Sequence, residues 1–188
     1  MRAPGEDSGG AEQSAASAVA QIFPHQGEQG VHRQQHRQLP HGILLAIGLN
    51  DAARVGRPDG RHQLDAQGFL FGLQQLLQRA RRSAPVLVLG LTPVDEAAMP
   101  YAEVLWYSLD QVRRYERLLE EACQEADVPF LPLLESLLGD PAWPQWLCAD
   151  GLHLNSEGHR QVYERVRRWP ALLHWADLHP LGGLTPLA

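Results

Sequence analysis

From Gly42 onward, short uninterrupted apolar runs alternate with longer segments of helical period, and this alternation constrains the fold more than any other feature of the chain. Ile43-Leu44-Leu45-Ala46-Ile47 is the first run and stops at Gly48. Val86-Leu87-Val88-Leu89-Gly90-Leu91 is the second, closed by Thr92-Pro93, and Val128-Pro129-Phe130-Leu131 is the third. Such runs suit strands buried on both faces of a parallel sheet, where no position has to be polar. Between the first two, Phe69, Leu70, Leu73, Leu76, Leu77 and Ala80 recur at helical spacing and stop at Arg81-Arg82-Ser83, with cations near the helix C-terminus. Between the second and third, a long helix is expected from about Glu103 to Glu125, with Leu105, Leu109, Val112, Leu119 and Ala122 inward. A last helix is expected from Asn155 or Ser156 to about Arg168, with Asn155 as N-cap and Glu157 in the first turn. Strand and helix alternate three times, which predicts an α/β fold: a three-layer α/β/α sandwich on a parallel, flavodoxin-like sheet.

The pattern begins abruptly. Residues 1–41 hold only six of Val, Ile, Leu, Met and Phe, at no regular period, so no amphipathic element can be read there and the stretch is expected to be irregular. It carries His25, His32, His36 and His41. His32 and His36 would share a helix face, but no acidic partner or third ligand stands at useful spacing, so neither a metal nor another cofactor is expected. Residues 42–177 are read as the α/β domain and residues 178–188, rich in Gly and Pro, as a loose tail.

At 188 residues and 44% hydrophobic, the chain is sized for one domain with a substantial core. A formal charge of −6 opposes any function that neutralises phosphate, so nucleic acid is not an expected partner. Cys123 and Cys148 form no C-x-x-C pair and are expected to be buried, reduced thiols. No apolar stretch reaches the length of a membrane span, and the first thirty residues lack a basic segment followed by an apolar one, so a cytoplasmic protein is expected. Oligomeric state is unreadable from the sequence. Trp106, Tyr107, Trp143 and Trp146 suit either a substrate pocket or the core and its rim, and aromatics at such places more often serve the core.

Ligand sites in open parallel sheets lie beyond the carboxyl ends of the strands. Two blocks fall there. Gly48-Leu49-Asn50-Asp51 follows the first strand, and Asp150-Gly151-Leu152-His153 lies between the third strand and the last helix. Asp150, three residues before His153 with Gly151 permitting a tight turn, can accept a hydrogen bond from one imidazole nitrogen and leave the other to take a proton from a hydroxyl. Asn50 offers a side-chain N–H where an acyl oxygen becomes negative. Each block alone is weak: Asn50-Asp51 is more often an Asx turn, and Asp150 to His153 reads equally as a helix-entry loop with a surface His. Their joint placement gives them weight.

Together these residues resemble the SGNH, or GDSL-type, serine hydrolase family over about Gly42 to Trp175. Gly48, Asn50 and Asp51 match its G-x-N-D block, and Asp150 and His153 its D-x-x-H block. The resemblance implies Asn50 as oxyanion donor, His153 as general base and then acid, and Asp150 as its orienter. It also implies attack by a serine on a small-molecule ester or thioester through an acyl-enzyme. Leu91-Thr92-Pro93-Val94-Asp95-Glu96 and Leu105-Trp106-Tyr107-Ser108 look like substrate-side segments of such a protein, without a catalytic role.

The family's nucleophile stands in a G-D-S block at the end of a first strand, and a Gly follows a second. Ser8, in Gly5-Glu6-Asp7-Ser8-Gly9-Gly10, is the candidate nucleophile, but the seven residues before it contain no strand to fix its hydroxyl. Among Gly27, Gly30 and Gly42 nothing selects the second residue. The first two strands are therefore expected to be missing, leaving an apolar edge beside Ile43 to Ile47 prone to association. An out-of-register reading of a GC-rich coding region over residues 1–41 explains this, and the use of Arg for all 16 basic residues fits such a gene. The leading function is a serine ester hydrolase. The alternative is a non-catalytic remnant or binding module that keeps the crevice without the nucleophile; a flavodoxin-like phosphate binder is disfavoured because no Gly-rich loop follows any strand.

Overall fold

The computed structural model describes residues 40–178. Ser8, Gly27, Gly30, His25, His32 and His36 lie outside the described residues, as does the expected tail beyond Leu178. Three strands, β1 (Ile43–Ala46), β3 (Val86–Leu89) and β5 (Phe130–Leu131), form a parallel sheet in the order β1-β3-β5. Ile43 to Ala46 face Val86 to Leu89 in register, and Val88 and Leu89 face Phe130 and Leu131. A short antiparallel ribbon, β2 (Arg54–Val55) with β4 (Leu105–Trp106), stands beside this sheet.

The central strand shows why the layers form. All four residues of β3 are buried, and they alternate between two clusters. Val86 and Val88 join Leu45 and the inward faces of α1 (Ala66–Arg81) and α2 (Leu109–Glu125), including Phe69, Leu73, Leu77, Val112, Tyr115 and Leu119. Leu87 and Leu89 point the other way, into Leu133, Leu137, Trp146 and Trp169, backed by α3 (Leu134–Leu138), α4 (Ser156–Val166) and α5 (Pro170–Leu178). Each large apolar side chain so buried contributes about 1.5–3 kcal/mol. Helices therefore cover both faces, as the three-layer reading requires.

Several local expectations change. The first strand is less buried than its apolar run suggests: only Leu45 is fully buried and Ala46 is exposed, and among the described residues β1 pairs with β3 alone. The long helix starts at Leu109 rather than Glu103. Ala102 and Glu103 take left-handed backbone (φ 49° and 65°), Leu105 and Trp106 pair with β2, and Ser108 caps α2 by accepting from the Gln111 N–H. Helices α3 and α5 were not anticipated. In α5, Pro170 occupies the first helical position, where its missing N–H costs nothing.

The ends of β3 and β5 are tied by a buried carboxylate on α2. Glu116 Oε1 accepts backbone N–H bonds from Leu91, Leu133 and Leu134 at 3.0, 3.1 and 3.1 Å. This fixes the start of the segment after β3, which runs on to Asp95 and abuts the loop before α4. Among the described residues no helix is long and apolar enough to cross a membrane.

Candidate active site

Asn50 is positioned by a sharp exit from β1. Gly48 has φ 108°, a backbone angle that favours glycine, and a β-carbon there would sit 3.1 Å from the Phe69 ring of α1, tight enough that the ring would have to shift, and 3.4 Å from Leu91. The chain then makes one 3₁₀ turn, Asn50–Ala52, with Ala52 and Ala53 fully buried as its anchor. Asn50 itself is exposed, and no hydrogen bond from the described residues engages its amide. Beside it, burial raises the carboxyl pKa of Asp51 above the ordinary value, against an opposing hydrogen bond from its own backbone.

The loop before α4 is built differently. Gly151 (φ 67°) presses so closely on the segment after β3 that a β-carbon would lie 2.5 Å from Ala98 Cβ and 2.9 Å from Asp95 O. Asp95 N–H donates to Gly151 O at 2.8 Å, and Cys148 N–H donates to His153 O at 2.7 Å. Asn155 fastens the far end: its Oδ1 accepts from Glu157 and Gly158 N–H, and its amide donates to Gln145 O and Leu147 O. Within this frame Asp150 Oδ1 accepts from the backbone N–H of Leu152 (2.9 Å) and His153 (3.0 Å), and Oδ2 lies 2.8 Å from His153 Nδ1.

Those two backbone hydrogen bonds, first from His153 and then from Leu152, hold the Asp150 carboxyl down to about 2. An ionised carboxylate can only accept, so Nδ1 carries the proton and donates to Oδ2. Nε2 of a neutral His153 is then a free acceptor, and the side chain is 60% exposed. No described hydroxyl hydrogen-bonds to it. The ring of Tyr101 meets the imidazole, with centroids 5.6 Å apart. The structure thus pairs Asp150 with His153 directly. It sets Asn50 on a separate loop with no hydrogen bond to either.

Comparison with known proteins decides the family. The sequence profile of the GDSL-like Lipase/Acylhydrolase family matches residues 8–161. The chain belongs to this family. The matched interval begins at Ser8, well before Gly42, and so takes in most of the stretch read from sequence as irregular. Among curated relatives, the chain is similar to two GDSL esterase/lipases of Arabidopsis thaliana. At5g62930 is 25% identical over 69% of this chain, and At5g45920 is 23% identical over 82%. The chain spans 59% and 66% of their lengths. The fold is similar to that of the lipase/acylhydrolase from Enterococcus faecalis, with TM-score 0.57, 18% identity and coverage of 69% of this chain and 60% of that one. It also resembles a protein from Lactobacillus plantarum, with TM-score 0.52, 20% identity and coverage of 77% and 70%. At these identities the likeness shows a shared GDSL-hydrolase fold.

Other sequence expectations separate within that fold. Gly42 stands at the N-terminal end of β1, packed against Trp175 of α5, at the end of the strand opposite Asn50. Cys123 is buried, its thiol pushed up to about 12 by burial and then by Glu120, whereas Cys148 is exposed on the loop leading to Asp150. The expectation of two buried thiols fails at Cys148, whose side chain lies on the exposed side of this loop and joins neither core cluster. Tyr107 and Trp146 are core residues, and Trp106 and Trp143 are half-buried. Tyr101 was missed altogether; nothing in its sequence neighbourhood marks it.

Proposed function

We propose that this GDSL-family chain is a serine ester hydrolase acting on carboxylic esters or thioesters of small molecules. His153 serves as general base and then acid, Asp150 as its orienter and Asn50 as oxyanion donor. The observation that supports this most strongly is the Asp150–His153 pair. A carboxylate held ionised by two backbone N–H groups fixes the Nδ1–H tautomer and turns Nε2 outward, which is the state a base needs before it takes a proton. The serine hydroxyl proton passes to Nε2 as Oγ attacks the carbonyl. The imidazolium, stabilised by Asp150, returns that proton to the leaving alcohol or thiol, and water then repeats the cycle on the acyl-enzyme. The Asn50 amide, unengaged by the described residues, offers one donor to the oxyanion; such a donor is worth about 3–4 kcal/mol. Ser8 is the candidate nucleophile, in the one stretch of the sequence that resembles a G-D-S block.

A second reading, a non-catalytic family member that keeps the crevice, is favoured by the sequence before Ser8, whose seven residues hold no apolar run to form the strand a nucleophile needs. Hydrolysis of a short-chain activated ester by the purified full chain, beside His153→Ala, separates the two. The esterase reading expects a rate well above the variant's. Equal rates remove it.

A further inference from the structure

The hairpin that begins at Tyr101 has no role in the chemistry above, yet it reaches both halves of the site. Its outer arm, β4, pairs with β2, which follows directly from the Asn50–Ala52 turn. Its inner arm is Tyr101, whose N–H donates to Leu105 O at 2.8 Å and whose carbonyl accepts from Leu105 N–H at 2.9 Å. The turn between them is closed by Val104 N–H on Tyr101 O at 3.2 Å. It holds Ala102 and Glu103 at φ 49° and 65°, the handedness of a type I′ turn normally filled by Asn and Gly. Two ordinary side chains in that region are strained, and such strain persists only where the surroundings over-determine it. At the end of this hairpin the Tyr101 ring stands at 63° to the His153 imidazole, in a T-shaped contact. The buried Tyr107, two residues along from Leu105, has its phenol pushed up to about 12, chiefly by burial and then by the charges of Tyr101 and Asp51.

We propose that Tyr101 is a positioning residue for His153, its ring restraining an imidazole that among the described residues is otherwise tethered at Nδ1 alone, and that the pairing of β4 with β2 ties this restraint to the Asn50 loop. The inference rests on the hydrolase reading for its purpose. Its geometry stands apart from it. A single hydrogen bond to Asp150 leaves a mostly exposed ring free to pivot about that bond. The aromatic edge contact supplies a second point of support, and two points define the direction of Nε2.

The test is NMR of the His153 ring in the isotope-labelled full chain, its signals assigned by their loss in His153→Ala, combined with ester hydrolysis. Tyr101→Leu keeps apolar bulk in case Tyr101→Ala does not fold, and Tyr101→Phe keeps the ring. In Tyr101→Leu, the His153 ring protons are expected to lose the ring-current displacement and the cross-peaks to residue 101, with kcat falling about tenfold and KM little changed. Tyr101→Phe should restore both. His153 ring signals unmoved in Tyr101→Leu, or a failure of Tyr101→Phe to restore them, would overturn the proposal. Displaced ring signals in a protein with no His153-dependent hydrolysis would overturn the hydrolase reading and leave the positioning contact standing.

Discussion

The loop that carries Asp150 and His153 and the turn that carries Asn50 sit at the same end of the sheet but are held by different forces. The first is a web of hydrogen bonds whose partners lie almost entirely between Gln145 and Gly158, with Asp95 as the outside anchor. The second has few hydrogen bonds and is wedged by packing: Gly48 against Phe69 and Leu91, with Ala52 and Ala53 sealed beneath. A proton-transfer pair needs fixed direction, which hydrogen bonds supply. In the role proposed for Asn50, an oxyanion donor needs fixed position with its amide unspent, and packing can supply that without engaging the amide.

This contrast gives substitutions that should damage one half and spare the other. The largest effect is expected for Asp150→Asn, which removes the charge that sets the His153 tautomer. Hydrolysis should fall about 10³–10⁴-fold in kcat, with the thermal transition changed far less, as judged by steady-state kinetics and calorimetry. Phe69→Ala attacks the other half. It should cost about 3–5 kcal/mol of stability in denaturant titration and lower activity through the Asn50 turn, while the Asp150–His153 hydrogen bond persists as a downfield Nδ1–H signal. Asn155→Ala should do the reverse at smaller scale. Losing the cap of α4 and two donors to the loop should cost about 1–2 kcal/mol, with the Nδ1–H signal weakened and the Asn50 backbone signals unmoved.

The smallest expected effect is in acid. Asp150 has a folded-state pKa of about 2 against an ordinary value of 3.8, so it binds a proton less readily in the folded chain than in the unfolded one. Its contribution is therefore complete above the unfolded value and is lost as pH falls from 3.8 toward 2. With the side chain 36% exposed, solvent screens most of this. The stability difference between wild type and Asp150→Asn should narrow over that interval in thermal melts. A difference unchanged down to pH 2 would show that the two backbone hydrogen bonds do not depend on the charge.

The same contrast explains what could be read from the sequence. Asp150 to Asn155 was legible because the turn, the carboxylate, the imidazole and the helix cap are neighbours along the chain. The strands were legible as apolar runs, and β3 justifies that reading fully. Asn50 could be located at the end of β1, but not its support, since Phe69 reaches it from the next helix. The ribbon was invisible: Ala102 and Glu103 are good helix formers, and only pairing with Arg54–Val55, some fifty residues earlier, draws Leu105 and Trp106 out of the helical pattern. Tyr101 inherits that difficulty, because its contact with His153 exists only once the hairpin has formed.

A fluorophosphonate probe on the purified full chain, followed by peptide mapping of wild type and His153→Ala, bears most directly on whether this is a serine hydrolase with His153 as its base. One serine is expected to be labelled in the wild type and to lose labelling in the variant, with Ser8 the candidate. No labelled serine in the wild type, or equal labelling in both proteins, would contradict it.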